Sequence, residues 1–241
     1  MSLLLVSDER EYLLERGETL ETDLGVLEVP EDASAGDAVE THLGHVFRVQ
    51  DLRGPDLFDH LERTGAPMMP RDIGLVIGHT GLQSGDRVLD AGTGTGVLSA
   101  SLGRLGADVV TFERDPDFAE TARENMAVAG VADSVDVRTG DLTEHLEEFG
   151  PEFDVLTLDT EDAPTAVERA PSLLVRGGFL AVYSPFVEST REVVSAAEAA
   201  GLDDIRTFET IQREMDFDDR GSPPSTAGVG HTGYLTFARR P

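Results

Sequence analysis

From Val88 to Ala200 the chain alternates short apolar runs with longer segments in which apolar residues return every three or four positions. The runs Arg87–Asp90, Asp108–Glu113, Val135–Arg138, Phe153–Asp159 and Gly178–Ser184 are too short for helices and read as strands. The periodic segments between and after them, Thr95–Arg104, Pro116–Ala129, Ala163–Leu174 and Val187–Ala200, read as helices. Pro116 opens one of these and Gly130 stands just past its end, the residues that suit a helix's first turn and its left-handed exit. Such a β-α-β-α rhythm predicts a mostly parallel, Rossmann-like α/β sheet with helices on both faces. The pattern then changes: Asp204–Met215 and His231–Arg239 are strand-like stretches joined by the Gly-, Pro- and Ser-rich loop Asp216–Gly230. They predict a C-terminal antiparallel hairpin rather than another βαβ unit.

The first fifty residues lack this rhythm. Val26–Val29 and His45–Val49 alternate between acidic, Gly-containing turns, which predicts a small β domain over residues 1–55. A helical connector follows over 56–80, interrupted at Gly65-Ala66-Pro67-Met68-Met69-Pro70, and the larger domain occupies 81–241. Leu3–Val6 is far too short to span a bilayer and carries no basic leader or cleavage site, so the expectation is a soluble, cytoplasmic protein that does not engage a membrane.

Composition narrows the chemistry. Without cysteine the chain has no disulfide, thiolate metal site or thiol nucleophile. Asp and Glu number 47 against 19 basic residues, a net charge of −28, and every basic residue is arginine. Self-repulsion of this size opposes a compact state unless concentrated salt screens it. Because the acid is dispersed rather than gathered in a tail, the surface is similar to that of a halophile protein. Molar salt also suppresses counterion release, so the charge does not exclude nucleic acid; RNA would be held by a few arginines, by stacking and by shape. His42 and His45 lack a carboxylate or cysteine at ligand spacing, so no metal is expected.

The densest motif is Val88-Leu89-Asp90-Ala91-Gly92-Thr93-Gly94-Thr95-Gly96, at the first strand-to-helix turn of the alternating region. Glycines there let a ligand approach the backbone closely. The dinucleotide fingerprint would need Gly or Ala at 97, where Val97 stands, which demotes NAD. The motif resembles instead the first motif of class I S-adenosylmethionine (SAM)-dependent methyltransferases. That resemblance makes Asp90, Gly92, Thr93, Gly94, Thr95, Gly96 and Val97 cofactor-binding candidates. Glu113, with Arg114 after it, ends the next strand, where an acid can accept both hydroxyls of a ribose. Asp141 and Leu142 follow the third strand, where the resemblance places the adenine of SAM. Each acid also has a plainer reading: Glu113 paired with an arginine, Asp141 as N-cap of a helix over Leu142–Glu148. Asp159 closes the strand after Phe153 on the same edge, facing the methyl donor; it is the catalytic candidate as well as a cofactor contact, with an ordinary exposed strand end as the alternative.

Residues outside this core resemble one family, the tRNA (adenine-N1)-methyltransferases acting on the T-loop. The resemblance rests on Thr41-His42-Leu43-Gly44-His45, Met68-Met69-Pro70-Arg71-Asp72, Tyr183-Ser184-Pro185, Glu209-Thr210-Ile211-Gln212-Arg213 and Gly230-His231-Thr232-Gly233-Tyr234-Leu235-Thr236-Phe237-Ala238-Arg239. Met215, Pro223-Pro224 and the loop after Asp159 depart from the family pattern. The resemblance implies SAM as cofactor, tRNA as partner, methylation of one T-loop adenine or two adjacent ones, a homotetramer, and Met69, Tyr183 and His231 as lining for the extruded base. Two alternatives stay open: a class I methyltransferase for another acceptor, such as a protein carboxylate, and a non-catalytic RNA-binding subunit of the same fold. Intact Gly92, Gly94, Gly96, Glu113 and Asp159 count against the last.

Overall fold

The computed structural model describes every residue except 1, 9, 218–223, 225–227 and 229. Its N-terminal part contains β1 (Leu3–Val6), β2 (Glu11–Leu14), β3 (Thr19–Thr22), β4 (Gly25–Glu28), β5 (Ala38–Glu40) and β6 (Val46–Asp51). These form a sheet in the order β2-β1-β6-β5 and a separate β3–β4 hairpin. The expected β domain is therefore richer than its two predicted strands. The difference lies in β1: Leu3-Leu4-Leu5 is buried on both faces between antiparallel β2 and β6, so its sequence shows no alternation to announce a strand. Phe47, Leu27, Leu14 and Val49 complete that core.

The connector is two helices, α1 (Gly54–His60) and α2 (Pro70–Thr80). Pro70 opens α2, and Met69 before it is extended (φ −65°, ψ 147°), as a residue preceding proline prefers. The predicted interruption at 65–70 is real, and the non-helical stretch extends back to Leu61.

The larger part runs β7 (Arg87–Ala91), α3 (Val97–Arg104), β8 (Asp108–Glu113), α4 (Pro116–Ala129), β9 (Val135–Thr139), α5 (Leu142–His145), a 3-10 turn (Leu146–Glu148), β10 (Phe153–Leu158), α6 (Ala163–Leu173), β11 (Leu174–Ser184), α7 (Val187–Ala199), β12 (Asp203–Glu209) and β13 (Tyr234–Arg239). Seven strands lie in the order β12-β13-β11-β10-β7-β8-β9. The five from β9 to β11 are parallel, and β13 runs antiparallel between β11 and β12. Neighbouring strand residues point to opposite faces: Val88 and Val155 pack with α1 to α4, Leu89 and Leu156 with α5 to α7. On the face near β13, Val76 of α2 packs on Ala181, Leu235 and Phe237.

Three strand expectations are corrected. β11 begins at Leu174 rather than Gly178, β13 begins at Tyr234 rather than His231, and β12 ends at Glu209 instead of reaching Met215; between β12 and β13 the described residues show one isolated bridge, Met215 with Pro224. β12 is an edge strand, mostly exposed, with a register shift between Asp203 and Arg206 and a left-handed Asp204 (φ 51°) near its start, a distortion of the edge that discourages further strand addition. Most of the loop Asp216–Gly230, including Pro223, lies outside the described residues. Among the described residues, no helix is long and apolar enough to cross a membrane.

Candidate active site

β7 pairs with β8 on one side and β10 on the other, and the chain leaves these strands to opposite faces, which opens a crevice at their carboxyl ends. The glycine-rich turn fills its floor. Gly92 has φ 89°, and a Cβ there would overlap the backbone carbonyl of Asp159, so the close approach of the β7 and β10 turns requires glycine. A Cβ on Gly94 would have no neighbour nearer than 4.0 Å, because this part of the turn faces open space. That space is a cavity of about 320 Å³. Asp90, Gly92, Thr93, Gly94, Thr95, Gly96, Val97, Glu113, Arg114, Asp141, Leu142 and Asp159, nominated from widely separated motifs, all line it.

The carboxylates in this crevice do different jobs. Asp90 is buried and accepts hydrogen bonds from Ser99 Oγ (2.9 Å), Thr111 Oγ1 (2.6 Å) and Thr157 Oγ1, tying α3, β8 and β10 beneath the turn. Burial pushes its pKa up, against those three hydroxyls, which lower it. Glu113 accepts from Gly94 N (2.9 Å) and Asp115 N (3.0 Å), so the acid braces the turn directly. Asp141 does cap α5: its Oδ1 accepts from Thr143 N and Oγ1, both at 2.8 Å. Its Oδ2 faces Arg114 at 3.9 Å, and Arg114 also pairs with Asp162 at 3.1 Å across the cavity mouth. Capping and lining the cavity are thus compatible, one oxygen for each.

Asp159 follows β10 and donates its N–H to Ala91 O at 2.9 Å, locking it beside the glycine turn. Asp159 is exposed at its strand end, as its plainer reading has it, and borders both this cavity and the next; the protein atoms crowded around its carboxyl, with Asp90 close by, push its pKa up to about 7. A second cavity of about 600 Å³ lies beyond Asp159, lined by Phe58, Arg63, Met69, Asp72, Tyr183, Pro185, His231 and Thr232 among others. All three residues nominated for the acceptor side, Met69, Tyr183 and His231, are therefore brought together with Asp159. Ala66, Pro67 and Met68 of the connector line both cavities.

A polar network holds the second cavity's walls. Thr232 Oγ1 donates to Asp72 Oδ2 (2.8 Å), Arg71 donates to Gly230 O (2.8 Å) and Thr232 Oγ1 (3.2 Å), and the Tyr183 hydroxyl donates to Thr232 O (2.8 Å). Burial and the neighbouring Asp159 raise the Tyr183 pKa, keeping the phenol neutral. His231 Nδ1 lies 3.2 Å from Glu209 Oε1. Far from this site, His42 Nδ1 accepts from Val26 N at 2.7 Å, a polar packing role. Among the described residues no three His, Asp or Glu side chains converge as metal ligands.

Residues 57–223 match the family described as the tRNA methyltransferase complex GCD14 subunit. The chain belongs to this family. It is also 32% identical, over 98% of its length and 94% of the relative's, to the tRNA (adenine(57)-N(1)/adenine(58)-N(1))-methyltransferase TrmI of Methanocaldococcus jannaschii. In three dimensions it resembles a SAM-dependent O-methyltransferase of Thermotoga maritima, with TM-score 0.82, 23% identity and coverage of 99% of this chain and 92% of that one. It also resembles the tRNA (m1A58) methyltransferase TrmI of Aquifex aeolicus, with TM-score 0.78, 22% identity and coverage of 100% and 97%. These two likenesses establish the fold, a seven-stranded SAM-dependent methyltransferase sheet with a C-terminal antiparallel hairpin.

Within this family member, two site residues escape sequence reasoning. Phe118, in the first turn of α4, presents a partly exposed ring (38%) to the first cavity; its only signal is an aromatic residue just after the helix-opening Pro116. Asn125 is 2% exposed. Its amide donates to Glu62 O (2.9 Å) and Thr95 O (2.8 Å) and its carbonyl accepts from Glu62 N (3.1 Å), so it ties the connector to the glycine turn. An amide among Ala122, Met126 and Ala129 on a buried helix face was the clue, since a buried polar group requires partners.

Proposed function

We propose that this protein transfers a methyl group from SAM to N1 of adenine in the T-loop of tRNA, with Asp159 as its catalytic residue. The observation that carries this reading is that Asp159 belongs to both cavities, one built on the glycine turn and one walled by Met69, Tyr183 and His231. The first cavity fits SAM on its own geometry: open space over Gly94, Glu113 at the strand end, and Asp141 and Leu142 at its far side. Gly92 to Gly96 would hold the methionine portion, Glu113 the ribose, and Asp141, Leu142 and Phe118 the adenine. Bound SAM supplies an electrophilic methyl on a positively charged sulfonium, and that charge favours the ionised form of Asp159.

Adenine N1 attacks through an in-plane lone pair, so no residue has to remove a proton first. The Asp159 carboxylate accepts a hydrogen bond from the N6 amino group, which orients the base and stabilises its developing positive charge. N1 lies on the Watson–Crick edge, so the nucleotide leaves its tRNA contacts to enter the second cavity. Tyr183, held through its hydroxyl on Thr232 O, offers a fixed aromatic wall. A carboxylate acceptor would meet Asp159 and Asp72 in that cavity, like charges that disfavour it.

The M. jannaschii relative's name covers adenines 57 and 58, and we extend that choice of target to this chain. A homotetramer follows from the family likeness, and work in a salt-rich cytoplasm from the Lys-free net charge of −28. The deciding experiment is transfer of labelled methyl from SAM to unmodified tRNA in multimolar KCl, with the site mapped by reverse-transcription stops. T-loop stops that vanish in Asp159→Ala, while SAM still binds, are the expected result. SAM binding with no tRNA methylation would overturn the reading.

A further inference from the structure

Asp159, Tyr183 and Pro185 line a third cavity of about 410 Å³, on the side of the acceptor cavity toward α6 and α7. Its outer wall carries Glu161, Phe186 and Glu192. Phe186 is 66% exposed and contacts no other ring among the described residues. Its backbone is nevertheless rigid: it is the N-cap residue of α7, and its carbonyl accepts from both Thr190 N (3.1 Å) and Thr190 Oγ1 (2.9 Å). A large ring on a fixed backbone, open to solvent at a cavity lip with exposed Val187 beside it, is a contact surface already organised for an incoming group.

We propose that Phe186 is a stacking platform for the base of a nucleotide flanking the methylated adenosine. The inference rests on the tRNA reading above and deepens it. A strand whose target base fills the acceptor cavity passes the mouth of the third, because the two share Asp159, Tyr183 and Pro185. Glu161 and Glu192 repel a phosphate there and accept hydrogen bonds from an exocyclic amino group, so the occupant is a base rather than backbone. Stacking also suits the charge balance. A chain of net charge −28 in concentrated salt gains little from phosphate contacts, whereas base–aromatic stacking survives salt and tolerates any base.

The test is a double-mutant cycle on a T-arm RNA hairpin, with abasic sugars at each flanking position and the variants Phe186→Ala and Phe186→Trp. Phe186→Ala should raise the KM for the intact hairpin by about five- to a hundredfold, the range that stacking supports. Affinity for S-adenosylhomocysteine and the melting temperature should stay at wild-type values, and Phe186→Trp should restore KM. One of the abasic hairpins should cost the wild type as much as the alanine substitution does, with no added loss when both changes are combined. An unchanged KM, fully additive losses at both flanking positions, or a changed oligomeric mass in Phe186→Ala would overturn the proposal, the last showing that another protein surface covers the ring. A wild-type protein that methylates no RNA at all fails the parent reading and this one with it; a wild type that methylates the hairpin while Phe186→Ala does so equally well fails this one alone.

Discussion

Replacing Asp159 with Asn should make the protein more stable and nearly inactive. In the folded protein the Asp159 pKa is pushed from 3.8 up to about 7, by burial first and Asp90 second. Holding the ionised form at neutral pH therefore costs up to ~4 kcal/mol, at 1.36 kcal/mol per pKa unit. The carboxyl opens to water in the cavities, so screening reduces this, and about 1–2 kcal/mol is the figure to expect. The sign follows from a folded pKa above the unfolded one. Below about pH 4 both states are protonated and Asp159 costs nothing; as pH rises from about 4 to 7 the unfolded state ionises first and wild-type stability falls; above 7 the loss is complete. Asn never ionises, so its advantage should be absent near pH 4 and full by pH 8, about 2–8 °C in melting temperature for a chain of this size. Thermal melts of wild type and Asp159→Asn at fixed high KCl across this range, without SAM, measure it, alongside turnover. Equal melting at pH 8, or an advantage that persists undiminished at pH 4, would show that Asp159 carries no such electrostatic cost.

Gly92→Ala should unfold or markedly weaken the protein, because its Cβ meets the Asp159 carbonyl at φ 89°; Gly94→Ala has nothing nearer than 4.0 Å to meet but holds φ 52°, so it should lose only about 1–2 kcal/mol of stability while losing SAM affinity in calorimetry. Asn125→Asp keeps the shape but cannot donate to Glu62 O and Thr95 O. It should cost about 1–3 kcal/mol for each lost partner and speed hydrogen exchange over residues 62–68 more than in β7 to β10. Finally, RNA affinity should depend weakly on salt: the slope of log K against log[KCl] should be about −2 or shallower, equivalent to two or three neutralised phosphates, and a slope steeper than about −4 would contradict the apolar reading of the RNA surface.

The parts of this molecule that show in its sequence are those set by local backbone chemistry. Gly92, Gly94 and Gly96 mark a turn that needs positive φ, Pro116 and Gly130 bracket α4, and acids at strand ends mark the binding edge. Continuous burial hides β1, where three successive leucines leave no alternation, and Thr210–Met215 keeps a strand-like composition although among the described residues it makes only one isolated bridge, Met215 with Pro224. What stayed hidden depends on distant pairs. Asn125 meets Glu62 across 63 residues, and Arg71 meets Gly230 across 159, so no sequence window contains either contact. Likewise, the departure from the family pattern after Asp159 gave no hint that Tyr183 and Pro185 open onto a further cavity beside Phe186.

The shared wall also limits how Asp159 can work. Methyl transfer carries one positive charge from the cavity over the glycine turn to the cavity beside Tyr183, and the net charge of the pair is the same before and after. A carboxylate bordering both cavities attracts the charge at either end, and attraction that is equal in ground and transition states accelerates nothing. The advantage of Asp159 must therefore come from direction: a hydrogen bond to the N6 amino group that strengthens as the ring becomes cationic and that holds N1 in line with the departing sulfur. That demands a well-placed carboxylate, and the fold fixes the backbone that carries it. Asp159 N is bonded to Ala91 O, its carbonyl lies where Gly92 has no side chain, and the strand before it is tied through Thr157 to the buried Asp90. The side-chain-free Gly92 and the costly acid are thus two sides of one arrangement, in which stability is given up to hold a carboxylate-bearing backbone between two cavities.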